Sequence, residues 1–286
     1  MKIRFASAFL ALLIAAPGLA RAAETSDASA SLFAERTALL AVDSKCALLA
    51  APVRAALSAT TIQARSGAVR DGWSDARLDG VSVRAAANGR GLTCTDPMVV
   101  SAAEGARAGY LGWAKMFSIS LPGTATAWNA RRLPDLNYWV LWQDAGPNRL
   151  GLKTDKDGKI SLLFTTPLTA QGAPGSARMQ FRDAARASKP FVGIPGVAAK
   201  GIAATAAPAS IAKTILARSV TVERDPKTPA LVAITFPEAA LAEAAKLDPR
   251  EAIEVVLTWR GQAPQRYYLE IGDLAVAQAF LAAKPL

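Results

Sequence analysis

The chain has 286 residues, of which 51% are apolar and 20% charged, and a formal net charge of +10. That mixture carries enough apolar sequence for a sizeable core, and the length allows one large domain or two ordinary ones. There is no histidine, which removes Ser-His-Asp and Cys-His catalysis and every histidine-based metal site.

Residues 1–22 read as a secretory leader. Lys2 and Arg4 form a positive start, Phe9 to Ala16 a short uncharged apolar run, and Ala20-Arg21-Ala22 a small-x-small cleavage pattern. The run falls short of the roughly 20 residues a membrane span needs, and no later segment is long and uncharged enough, so the chain is expected not to span a membrane. Export places it in the periplasm or outside the cell. The leader holds three positive charges and no acid, which leaves +7 after cleavage. That charge is uneven: residues 23–116 hold ten basic and nine acidic side chains, residues 131–200 eleven and five. Cys46 and Cys94 are the only cysteines. An even pair in an exported chain predicts a disulfide, and a 48-residue separation is unlike the C-x-x-C of redox pairs.

From 28 to 116 the apolar spacing is helical, which predicts a helical domain of four segments. Leu32, Phe33, Leu39 and Leu40 mark the first. Pro52 opens a second that carries Val53, Leu57 and Ile62 to Arg70. Ser74 caps a third with Leu78 and Val81, stopping by Gly89. Asp96-Pro97 starts a fourth, running through Tyr110 and Trp113 to Met116. Within it, Gly105 and Gly109 form G-x-x-x-G, whose expected use in a helix that does not cross a membrane is close helix packing. The segments are rich in alanine, so burial stabilises them thinly and the cross-link has a physical purpose.

From 117 to 286 the period changes to alternation, which predicts an antiparallel β-rich domain. Phe117, Ile119 and Leu121 alternate before Pro122-Gly123. Tyr138 to Trp142 is apolar on both faces and reads as a strand buried on both sides. Asp155-Lys156-Asp157-Gly158 turns one hairpin, Asp225-Pro226 a second and Gly261-Gln262 a third. Pro208 opens a short helix to Leu216, Pro237 another to Leu247, and Asp273 caps a last one over 274–283. The expected fold class is α+β: a disulfide-tied helical bundle, then an antiparallel sandwich or half-barrel with a C-terminal helix.

Chemistry is sparse. Ser210-Ile211-Ala212-Lys213 matches S-x-x-K, in which a helical lysine could deprotonate a serine, but the S-D-N and K-T-G companions are missing. It supports an envelope hydrolase or transferase only as an alternative. Asp155-x-Asp157-Gly158 resembles the start of a calcium loop, yet position 12 would be Thr166 and a tight turn needs Asp-Gly anyway. Glu35 with Asp43 and Glu238 with Glu243 read as helix-surface acids. No phosphate-cradling glycine loop occurs, and no cofactor or metal is expected.

The basic stretch is the better lead. On strand spacing Arg178, Gln180 and Arg182 share a face that Arg186 extends, and Arg131 and Arg132 precede the aromatic strand. Guanidinium groups so arranged could hold an anionic polymer or a lipid headgroup. Trp139 and Trp142, three apart, are expected on opposite faces of their strand. The expectation is a non-enzymatic protein of the bacterial cell envelope that binds or scaffolds an envelope component, an anionic one if the arginine face is the site. An alternative is an interaction subunit with a protein partner; no nucleic-acid motif is present.

Overall fold

The computed structural model describes residues 21–132, 136–192, 206–225 and 228–285. Apart from its last two residues, the expected leader lies outside this set, as does most of the Ala/Gly/Pro-rich connection after 192.

Four helices come first: α1 Arg21–Cys46, α2 Ala51–Arg70, α3 Asp75–Gly91 and α4 Pro97–Lys115. Their starts follow the local chemistry. Pro52 and Pro97 occupy first turns, where a missing N–H costs nothing. Ser74 Oγ accepts from Arg77 N at 3.3 Å, and Asp96 Oδ1 from Met98 N at 2.8 Å. The Cys46–Cys94 disulfide is formed, with 5.6 Å between the Cα atoms, and ties the end of α1 to the approach of α4.

Two antiparallel sheets follow, packed around one core. The larger has the order β1-β2-β3-β4-β5-β9-β8, the smaller β11-β10-β6-β7. Their strands are β1 Ser118–Pro122, β2 Ala127–Arg131, β3 Trp139–Ala145, β4 Asn148–Thr154, β5 Ile160–Pro167, β6 Ser176–Arg182, β7 Ala212–Leu216, β8 Ser219–Asp225, β9 Thr228–Phe236, β10 Ala252–Thr258 and β11 Gln265–Glu270. Two short helices complete the chain, α5 Ala239–Ala244 and α6 Leu274–Ala282. Leu141, Leu150, Phe164 and Ile234 cover the inner face of the larger sheet, and Met179, Val255 and Leu269 that of the smaller. Phe280 on α6 closes one end of this core.

Three expectations change. Residues 208–216 do not form a helix: β7 pairs in register with β6, Lys213 opposite Phe181 and Leu216 opposite Arg178, and the ladder overrides local helical propensity. Asp273 stands at the N-cap position of α6, but its side chain makes no capping bond; its Oδ2 instead accepts from Gln63 Nε2 of α2 at 2.8 Å. Gly105 and Gly109 pack against no helix, since a Cβ at either position would meet nothing within 4 Å.

The two halves are tied by α2 and α4 against α6 and the sheets. Trp113 meets the Phe280 ring edge-on at 6.4 Å between centroids. Arg250 bridges Asp248 in its own turn and Asp75 at the start of α3, both at 2.8 Å.

Candidate functional site

Of the basic residues singled out in the sequence, few gather on one open surface. Arg182 is 5% exposed, with its guanidinium held bidentately by Glu251 at 2.5 and 2.9 Å. Glu251 raises its pKa further, so Arg182 is a neutralised core cation. Arg186 lies in the turn beyond β6, 3.4 Å from Asp183. Arg178 remains on the outer side of the smaller sheet, beside Leu216 and Val256. Arg132 turns into the junction of the two halves: Nη1 donates to the Trp113 carbonyl at 2.7 Å, and the guanidinium stacks 4.1 Å from the centre of the Phe280 ring. Burial lowers its pKa.

Arg131 belongs elsewhere. Its neighbour Ala130 faces the core, so Arg131 projects from the outer face of the larger sheet. There it joins a group the sequence spacing did not suggest. The register of β3 against β4 shifts between Trp139 and Leu141: Trp139 lies opposite Lys153, whereas Leu141 lies opposite Leu152. Val140 is the extra residue of a β-bulge, and it reverses the expected alternation. Trp139 and Trp142 therefore share the outer face, contrary to the expectation of opposite faces. The same bulge corrects the picture of a strand buried on both sides: Leu141 and Gln143 are buried, and both tryptophans stay partly exposed.

Arg149 of β4 binds this pair together. Its guanidinium carbon lies 5.5 Å from the centre of the Trp139 ring and 5.6 Å from that of Trp142, within cation–π range of both. Asp144, directly opposite on β3, holds the same guanidinium at 2.6 and 3.2 Å. Gly151 makes the close approach possible, because a Cβ there would fall 1.9 Å from the Leu141 carbonyl oxygen and 2.7 Å from Trp142 Cα. Only glycine fits against that stretch of β3 backbone. The result is a pre-ordered aromatic surface with Lys153 and Arg131 beside it; neither makes an ion pair among the described residues.

The catalytic alternatives lose their geometry. Ser210 is exposed in a turn, and Lys213 lies on strand β7 with its ammonium on Glu243, so the helical i, i+3 relation that would join them is gone. Asp155 acts as a turn residue: its Oδ1 accepts from Asp157 N at 2.8 Å and Lys159 N at 2.9 Å, and Gly158 takes φ +79°. Among the described residues no three Cys, Asp or Glu side chains gather as metal ligands, and no helix is long and apolar enough to cross a membrane.

No protein family, no characterised protein and no solved structure matches the chain.

Proposed function

We propose that this chain is an exported binding protein of the bacterial cell envelope that holds an anionic glycan on the outer face of its larger sheet. One observation carries the reading: Trp139 and Trp142 are brought to the same open face and fixed there by Arg149. An indole face is electron-rich, and the C–H bonds of a sugar ring carry partial positive charge, so a pyranose stacks on it readily. Lys153 and Arg131 flank the rings and supply charge for a carboxylate or phosphate on the sugar. Arg149, already neutralised by Asp144, acts as a positioning residue.

The test is affinity electrophoresis and calorimetry with a polyuronate, and with neutral dextran as the comparator. Wild type should be retarded by the polyuronate and not by dextran. Trp139→Ala and Trp142→Ala should each weaken binding by about tenfold or more, the scale of one lost stacking contact of 1–3 kcal/mol by analogy with bases on aromatic platforms. Lys153→Ala should chiefly reduce the salt dependence. Equal retardation of wild type and the tryptophan variants would refute the reading.

A further inference from the structure

A second feature lies on the outside of the helical half, and its argument is independent of the glycan face. Helix α3 is pinned from within. Leu78 packs with Phe33, Ala64 and Ala68 of α1 and α2, and Gly89 comes so close to α1 that a Cβ there would lie 2.3 Å from the Ala38 carbonyl oxygen. These contacts fix which side of α3 faces outward. At about 100° per residue, the side opposite Leu78, Ala85 and Gly89 carries Ala76, Gly80, Val83 and Ala87. Ala76, Val83 and Ala87 are exposed, Val83 at 68%. The strip is flat and holds no hydrogen-bonding side chain.

Three arginines border it. Arg77 and Arg84, one heptad apart, follow one side and Arg90 the other, all of them exposed. Arg77 lies over the half-buried Trp73 ring, its guanidinium carbon 3.5 Å from the ring centre. Arg84 leans across the strip, with Nη1 3.3 Å from the place a Gly80 Cβ would take. Among the described residues none of the three forms an ion pair. The nearby acids are engaged elsewhere. Asp75 is held by Arg65 at 2.6 Å and Arg250 at 2.8 Å, and Asp79 by Arg65 at 3.2 Å. Asp71, before the helix, accepts from the Ser29 hydroxyl at 2.7 Å, and Asp96, beyond it, caps α4. Along the helix itself, three guanidinium groups therefore stand without a counter-charge.

That arrangement matches one kind of partner. A protein partner is anchored by large side chains in pockets, and this strip has no pocket. A bound polymer would call for donors or an aromatic platform within the strip, which has neither. A bilayer surface needs only a shallow apolar strip at the headgroup boundary with cations on either side of it. Arginine stems extend past the small strip residues, so their heads reach the headgroup plane while the stems cover apolar surface. Trp73 at one end is the residue type that settles at such a boundary.

We infer that the outer face of α3 docks on a bilayer surface bearing anionic headgroups. The probe is co-sedimentation with vesicles of mixed phosphatidylglycerol and phosphatidylcholine, against vesicles of phosphatidylcholine alone, at low salt. Wild type should favour the anionic vesicles by about tenfold or more, and added salt should weaken the binding. Arg77→Gln with Arg84→Gln and Arg90→Gln should lower the partition about a hundredfold, at about fivefold for each cation near the surface. Val83→Trp should raise it several-fold. Arg218→Gln with Arg224→Gln and Arg260→Gln removes the same charge from exposed positions of the β half, and should change it less than about twofold. All these positions are exposed, so the variants should fold as wild type does. Three results would overturn the inference: equal partition to the two kinds of vesicle, equal losses in the two triple variants, or no gain from Val83→Trp. Tight binding of soluble polyphosphate that the α3 triple variant loses and Val83→Trp leaves unchanged would also overturn it, assigning the face to an anionic polymer.

Discussion

The β half and the helical half are stabilised in different ways. The sheets and α6 share one continuous core in which Trp128, Phe164, Phe236 and Phe280 are almost wholly buried. The helices have two small clusters instead, one around Leu39, Val53 and Leu57, the other around Phe33 and Leu78, with alanine filling much of the rest. Where side chains are large, burial carries most of the stability. Where they are small, the chain adds cross-links: the Cys46–Cys94 disulfide, the Asp43–Arg54 ion pair inside the α1–α2 corner, and Arg65 on Asp75 at 2.6 Å. The filled core also supports a rigid outer face.

The largest effect should come from the most deeply buried ion pair of the β half, Arg182 with Glu251. Glu251→Ala strands the Arg182 guanidinium in the core, and removing one partner of a buried pair costs about 3–5 kcal/mol. Urea unfolding should show it. Replacing both with apolar residues of similar volume, Arg182→Met with Glu251→Leu, should recover only part of the loss, because the Phe191 and Asp248 N–H groups and the Ala187 carbonyl lose the partners this pair gives them. A single variant within about 1 kcal/mol of wild type would mean that water reaches the pair, and the contrast between the halves would weaken.

Cys46→Ser should rank next. In the chain-entropy model a loop of this length stabilises by about 4 kcal/mol, less where the unfolded chain keeps structure. The loss should be local. Amide exchange should accelerate across α1 to α4 while β4, β5 and β10 keep their protection. Uniform acceleration in both halves would break the comparison, because the helices and sheets would then open as one unit.

What the sequence made legible follows the same division between local and distant causes. The four N-terminal helices could be read because their signals are local: Pro52, Ser74 and the Asp96-Pro97 pair act within one turn of themselves. The overall class, helices then antiparallel sheets with a terminal helix, followed from period and turn residues. Strand β2 went unread because Ala-Trp-Asn-Ala-Arg offers a single large apolar residue, though Trp128 is among the most buried side chains. Strand β7 read as helix because only its pairing with β6 decides the matter. The site depended on distant causes too. Alternation placed Arg182 on an outward face, and only Glu251, 69 residues away, makes it a core residue. The shared face of Trp139 and Trp142 comes from one bulge residue; the unbroken apolar run Tyr138 to Trp142, which lacks alternation, was its only trace.

Two glycine variants sharpen the contrast within the helical half. Gly89→Ala should destabilise by about 1–3 kcal/mol, the cost of overpacking, because the Ala38 backbone cannot retreat. Gly105→Ala should stabilise by up to about 1 kcal/mol, since α4 gains propensity without a clash. Thermal unfolding of the two should move in opposite directions. Equal losses would mean that α4 packs as tightly as α3.

The smallest effect lies at the seam between the halves and has a definite sign with pH. Burial raises the pKa of Asp273 above the ordinary carboxylate range, and Gln63 offsets this only in part. Burial raises Glu270 as well, against the Ala125 and Thr124 N–H groups that bind its carboxylate. For both, the folded chain favours the neutral acid. As pH rises past the ordinary carboxylate value the unfolded chain ionises first, so stability declines until the raised folded value is passed. Asp75 behaves oppositely: Arg250 and Arg65 hold it low, and its contribution disappears as pH falls through that lowered value. Asp273→Asn can keep an acceptor for Gln63 while removing one group of the first kind. Its melting temperature should therefore exceed that of wild type at neutral pH and converge with it below about pH 3, where the wild-type acid is mostly neutral in both states. A variant less stable than wild type at neutral pH, with the gap widening as pH rises, would mean that the ionised Asp273 carboxylate stabilises the seam through Arg70 and that the charge pairing there outweighs burial.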